Sequence, residues 1–337
     1  MTAPLKLTRR QILPFRRRVG GLEARVPKSA ETLRRAAWAG LQDSMPRAAL
    51  LSLHARIQDV GPMTWDDPSL VQLWGPRYST YVVPKRDFAL FSLGRLPDDA
   101  KGRDRAERMA KMVREYQKGA RMTDREVAGA LNIGNAIRYS ATTGTIAIRW
   151  EGARAPTVWT VPRPKIDPAA ATRGLARRYL RIFGPTTAES FARWAGISRR
   201  SGAAAFASLE GSLLPVRSPL GDEWLLAEDE PEMLAGEISE AAARLLPSGD
   251  SYWLLDGAER ELLVPRAEQR ELLWTPRVWP GALLIEGEIR GTWRRAQHKV
   301  QVESWGRLSR EARDSVEAEA ATLPLPGLDR DIDVEWA

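Results

Sequence analysis

Three polar residues in a row, Gln42, Asp43 and Ser44, interrupt the stretch from Trp38 to Arg47, which joins two helix-like patterns. Their types suit hydrolysis. An amide oxygen such as that of Gln42 accepts a hydrogen bond from water and so orients it. The carboxylate of Asp43 does the same and also favours a developing positive charge. The Ser44 hydroxyl can only hydrogen-bond the water and is a poor base. The same trio has a purely structural reading. Asp43 or Ser44 ahead of Pro46 makes a good N-cap for the next helix, with Gln42 bonding a backbone carbonyl. Neighbours on a helix point about 100° apart. The side chains therefore converge only if residues 41 to 44 leave the helix.

Much other chemistry is excluded by composition. The chain has no Cys, and its two histidines are His54 and His298. Disulfides, cysteine-based zinc sites and a thiol nucleophile are ruled out, and no cofactor or metal is expected. No lysine is placed persuasively as an amine nucleophile, so an enzyme built on these residues would use water rather than a lysine adduct. His54 follows Gln42 at helical spacing and is a candidate for the same groove, against the ordinary reading of a packed histidine. His298 lies in a basic run with Arg294, Arg295 and Lys299, between two strand-like stretches. Such a hairpin tip suits a phosphate backbone; an ordinary solvated turn is the alternative.

Charge is distributed unevenly. The net charge is +8, yet residues 1 to 56 hold twelve Lys/Arg against three acids, and the tail from Ser309 holds three against eight. A basic segment of this kind is the footprint of a polyanion partner such as DNA, although solvated helix faces also produce it. With Arg77 beside the strand-like residues 80 to 83, the candidate DNA contacts are Arg16, Arg17, Arg18, Arg47, His54, Arg77, Arg294, Arg295, His298 and Lys299. Trp38, Trp74, Tyr78 and Tyr81 are candidates for base stacking, although aromatic residues at such spacing are more often core. No run of about 18 apolar residues is present and residues 1 to 18 lack the pattern of a secretory signal. A cytoplasmic, nucleoid-associated monomer is expected.

The elements that must position these residues repeat. Thr123 to Glu126 reads as a capping box opening a helix, followed by a turn, a short second helix and two strands, Thr145–Trp150 and Thr157–Val161. That order is a winged helix. Residues 175 to 226 repeat it, with strands Leu213–Arg217 and Glu223–Leu226. Ser29 to Pro84 reads as a less regular copy. Internal repetition is a stronger signal than a single copy. After about Arg244 the chain turns to short strand-like runs (252–255, 261–264, 278–280, 282–285, 289–293, 300–302), a small antiparallel sheet or barrel, and a last helix, Ser309–Leu323. The expected fold class is therefore α+β. Three winged-helix units (1–100 with a basic N-terminal helix, 101–168, 169–240) are followed by a β domain (241–337).

A set of phrases along the chain resembles one family. They are Trp74-Gly75-Pro76-Arg77 with Tyr81-Val82-Val83-Pro84; Tyr179-Leu180 with Phe183-Gly184-Pro185; Ala192-Arg193-Trp194-Ala195-Gly196; Leu245-Leu246-Pro247 with Asp250; and Gly287 through Gly291-Thr292-Trp293-Arg294-Arg295. Together and in order they are similar to the AlkZ/YcaQ-type winged-helix DNA glycosylases. The resemblance implies hydrolysis of the N-glycosidic bond of alkylated or crosslinked bases. It places the catalytic motif, Gln-x-Gln or Gln-x-Asp after Gly-Leu, on Gly40-Leu41-Gln42-Asp43-Ser44. Gln42 matches the first Gln; Ser44 stands where the second Gln or Asp belongs, with Asp43 between. The alternative is a non-catalytic winged-helix protein that binds DNA, as a lesion-binding or regulatory relative.

Overall fold

The computed structural model describes residues 4–45, 47–152, 154–236, 242–327 and 330–337. It is a mixed helix-and-sheet fold with four sheets among the described residues. The chain starts with a two-residue strand, β1 (Leu5–Lys6), and a helix, α1 (Arg9–Val19). Helix α2 (Ala30–Ala36) is capped by Ser29, whose Oγ accepts the Thr32 N–H. Next come β2 (Leu41–Gln42), α3 (Ala48–His54), β3 (Leu70–Trp74) and β4 (Thr80–Pro84), forming a sheet in the order β2-β4-β3. Leu33, Leu41, Leu50, Leu53, Trp65 and Val82 make the core beneath it.

Helices α4 (Phe88–Leu93) and α5 (Ala100–Gln117) lead into the second cluster. There β5 (Met122–Thr123) precedes α6 (Asp124–Ala130), whose capping box of Thr123 and Glu126 is formed. Strands β6 (Ile146–Arg149) and β7 (Thr157–Thr160) complete a sheet ordered β5-β7-β6. Trp74, from the end of β3, is buried in this second core with Val113, Val127 and Ile148. The third cluster holds α7 (Pro168–Phe183), α8 (Ala188–Ala195), α9 (Arg199–Ala207), β8 (Leu213–Ser218), β9 (Gly221–Leu226) and α10 (Glu230–Leu234). Its sheet gains a third strand from far away, because β1 pairs parallel with β8. The N-terminal strand and α1 thus pack with the third cluster as well as with their own neighbours in sequence.

The remainder is β10 (Arg244–Leu246), α11 (Ala258–Leu263), α12 (Ala267–Leu273), β11 (Gly281–Ile285), β12 (Glu288–Ala296), β13 (Lys299–Ser304), α13 (Arg310–Ala321) and β14 (Asp333–Trp336). Two expectations are corrected here. The run 261–264 falls mainly in α11, and 252–255 and 278–280 lie outside every strand; short apolar runs do not separate helix from strand by pattern alone. The sheet β10-β11-β12-β13-β14 is not wholly antiparallel, since β14 runs parallel to β13. Helix α13 supplies the crossover that a parallel pair requires. Pro46, expected in the first turn of α3, and the boundary at 240/241 lie outside the described residues. No helix among the described residues is long and apolar enough to cross a membrane.

Candidate functional site

Gln42 lies in a strand. It pairs with Tyr81 of β4, Leu41 pairs with Val82, and the Asp43 N–H donates to the Thr80 carbonyl at 2.8 Å. Gly40 makes this entry possible: its φ is +77°, and a Cβ there would meet the rings of Phe91 and Tyr81 at 2.9 Å. Extended backbone puts residues two apart on one face and the intervening residue on the other. Gln42 and Ser44 accordingly point together, with Gln42 Nε2 donating to Ser44 Oγ at 2.6 Å. Ser44 is exposed and Gln42 half-buried. No hydrogen bond among the described residues uses Gln42 Oε1, and Ser44 keeps its own proton to donate.

Asp43 points the opposite way and is 1 % exposed. Its Oδ1 accepts the Ala49 N–H and its Oδ2 the Gln72 amide, both at 3.0 Å. Asp43 therefore holds the start of α3, a position expected for Ser44 or Asp43 at a cap. The N-cap residue itself is Arg47, in a left-handed conformation and with no side-chain cap. Burial pushes the Asp43 pKa up to about 7, against the pull of the Ala49 N–H, the Arg47 charge and the Gln72 amide.

Gln72 was not singled out from sequence. It sits buried in the middle of β3, and its amide is fully used. Nε2 donates to Asp43 and, at 3.2 Å, to the Trp150 carbonyl, while Oε1 accepts the Trp150 N–H at 2.6 Å. It joins the candidate strand to the end of β6 in the second cluster. Arg47 makes a parallel tie: Nη2 donates to the Glu151 carbonyl at 2.8 Å, and the guanidinium lies over Trp65. The visible signal for Gln72 was a polar residue inside the apolar run Leu70-Val71-Gln72-Leu73-Trp74.

A second missed support lies under Gln42. Gly249, φ +78°, approaches so closely that a Cβ there would stand 3.1 Å from Gln42 Oε1. The next residue, Asp250, is bound by Arg56 through both oxygens (2.7 and 2.8 Å) and by the Ser52 hydroxyl (2.6 Å). Burial alone raises the Asp250 pKa; Arg56, Ser52 and the Tyr252 N–H outweigh it, and the net direction is down. Ser52 of α3 and Arg56, two residues past the end of that helix, thus clamp the loop that abuts Gln42.

The remaining candidates divide. Arg16 and Arg17 are each 3 % exposed. Arg16 donates to the carbonyls of Phe183, Gly184 and Pro185, and Arg17 to that of Gly287. Arg18 donates to the Glu232 carbonyl at 3.0 Å. His54 is 4 % exposed, between Arg25, Glu319 and Thr322. Burial, then the charges of Arg25 and Arg244, lower its pKa to about 3. Arg16, Arg17 and His54 are therefore corrected from DNA contacts to interior residues, because their charges and ring nitrogens are committed inside the fold. Arg77, Arg294, Arg295 and Lys299 are exposed, and His298 is half-buried. The last four lie on or at the turn of the β12–β13 hairpin; Arg294 donates to the Val278 carbonyl at 3.2 Å and Lys299 pairs with Glu335. Of the candidate stacking residues, Trp74 and Tyr81 are core, Trp38 is covered by Arg178 at 3.3 Å, and Tyr78 packs edge-on against Tyr139.

A family model described as DNA glycosylase AlkZ-like matches residues 35–324. Among solved structures, the Streptomyces sahachiroi DNA glycosylase AlkZ is similar over 99 % of this chain and 100 % of its own, with a TM-score of 0.78 and 19 % identity. A likeness at that identity is one of fold. No curated protein matches the chain.

Proposed function

The chain belongs to the AlkZ-like DNA glycosylase family, and from that premise we propose that it is a monofunctional glycosylase which removes alkylated or crosslinked bases using water held by Gln42 and Ser44. The observation that carries this is their shared face, with the Gln42 amide donating to Ser44 and Oε1 left to accept. An alkylated base that is already cationic leaves without a strong acid, through an oxocarbenium-like state. Water forms the new bond to C1′, the base takes the electrons of the broken C–N bond, and the water's proton passes to solvent. Gln42 Oε1 accepts from the water and orients it, while the Ser44 hydroxyl donates to its oxygen. Asp43 acts from behind: it anchors the strand to α3 and, when ionised, favours the sugar cation. Its role in this reading is support, since both its oxygens face inward.

The helix–sheet clusters at 1–100, 101–168 and 169–240 are read as three winged helices, and 241–337 as the β domain. The protein acts as a monomer on double-stranded DNA in the cytoplasm. Arg47, Arg77, Arg294, Arg295, His298 and Lys299 are the proposed DNA contacts. Duplex DNA carrying N7-methylguanine should acquire alkali-labile abasic sites, and Gln42→Ala should slow release by about 10²-fold. Equal rates for the wild type and the variant would overturn the assignment. Replacement of the family's second Gln or Asp by Ser44, which brings no base, supports a second reading, a DNA-binding relative without activity. That reading predicts salt-dependent binding and no base release.

A further inference from the structure

Away from Gln42, two arginines that meet across the fold share one carboxylate. Arg77 Nη1 lies 3.4 Å from Asp256 Oδ2, and Arg260 Nη2 lies 3.3 Å from Asp256 Oδ1. Arg77 comes from the β3–β4 turn and Arg260 from α11. Burial lowers the Arg260 pKa, Asp256 raises it, and the charge of Arg77 lowers it again. The cluster is one negative charge short of neutrality. It is also built rigidly. Arg260 is held by the Leu255 carbonyl at 2.8 Å and lies against the rings of Trp274 and Trp279, 5.0 and 5.4 Å from their centroids. Arg77 and Tyr78 both have left-handed backbones, φ 52° and 59°. Non-glycine residues hold that conformation only where the surroundings enforce it. Here Tyr78 is pinned by Tyr139, by Arg95 over its ring and by Arg138 on its carbonyl.

The position of the cluster decides what it is for. Strand β2 runs antiparallel to β4, with Gln42 opposite Tyr81 and the Asp43 N–H on Thr80. Ser44 therefore runs on towards the 75–79 turn that carries Arg77. From the other side, the loop that touches Gln42 at Gly249 continues to Asp256. The same two pieces of backbone thus hold the candidate hydrolytic pair and the arginine pair. We infer that Arg77 and Arg260 form a phosphodiester site for the DNA strand that presents its sugar to Gln42 and Ser44. In the free protein Asp256 holds the two guanidiniums in place of the phosphate. A backbone phosphate brings the missing negative charge and several acceptor oxygens in fork geometry, and it displaces or shares the carboxylate. The assignment rests on the reading of the chain as a DNA-binding glycosylase.

Binding of a fluorescein-labelled undamaged duplex, followed by anisotropy at several salt concentrations, tests it. Arg77→Gln and Arg260→Gln should each weaken binding and reduce the slope of log K against log salt by about one. Asp256→Asn should tighten binding by roughly three- to tenfold at low salt, the gain expected from removing a competing charge. Misfolding does not produce a gain, and Arg77→Gln alters an exposed side chain. If the wild type binds but Asp256→Asn binds equally or more weakly, or Arg77→Gln leaves the slope unchanged, the phosphate site is wrong and the DNA reading stands. If the wild type shows no salt-dependent binding, the DNA reading fails and the site falls with it.

Discussion

Asp43 carries a carboxylate that burial holds near neutrality, with a pKa of about 7 against an ordinary 3.8. The folded state keeps a proton that the unfolded chain has released. Its contribution to stability is therefore fully present below about pH 4 and is lost as pH rises through about 7. Asp43→Asn removes this dependence while keeping an acceptor for the Ala49 N–H. Urea midpoints measured at pH 5 and pH 8 should show the variant gaining on the wild type at the higher pH. A constant difference across that range would mean that Asp43 is ionised throughout. Gln42 and Ser44, one step away on either side, face the exposed side and titrate in neither state, so their substitution should alter rate more than its pH dependence.

At the level of elements, the candidate site is a meeting of β2 with the loop after β10. That loop is fixed by the buried pair of Arg56 and Asp250, and Gly249 is its point of contact with Gln42. Gly249→Ala asks an L-residue to adopt φ +78° and puts a methyl group 3.1 Å from Gln42 Oε1. The backbone term costs about 1–2 kcal/mol, and the displaced amide should cut base release about tenfold or more. Thermal unfolding and single-turnover rates on N7-methylguanine DNA separate the two effects. An unchanged rate would show that the loop does not position Gln42. Gln72 works at the same scale, because one amide links β2, β3 and the end of β6 and so sets the second cluster against the first.

Across the whole molecule, the basic N-terminal segment binds the parts of the fold together. Helix α1 places Arg16 on the carbonyls around Pro185 and Arg17 on Gly287, while β1 joins the third sheet. Arg16→Ala leaves three buried carbonyls without their cationic donor and should cost about 3 kcal/mol, read as a lower denaturant midpoint. The salt slope of DNA binding should not change. A changed slope with an unchanged midpoint would return Arg16 to the DNA interface.

How much was legible follows from the range of each interaction. Caps, turns and alternating runs depend on neighbours in sequence, so the capping box at Thr123, the repeated helix–strand order and the strands at 80–83 and 282–285 were readable directly. The phrases from Trp74 to Arg295 were enough to indicate the family. The choice between Asp43 and Ser44 was not readable, because it turns on whether residue 42 is helical or extended, and β4 decides that by pairing with it. Net charge along a segment could be counted, but not its direction: Arg16, Arg17 and Arg56 find carbonyls or a carboxylate more than 150 residues away. The sequence by itself determined the capped helices and most of the alternating strands, and it offered the residues proposed to position a water. Tertiary structure alone decided which of them share a face, because burial and long-range pairing set where a side chain points.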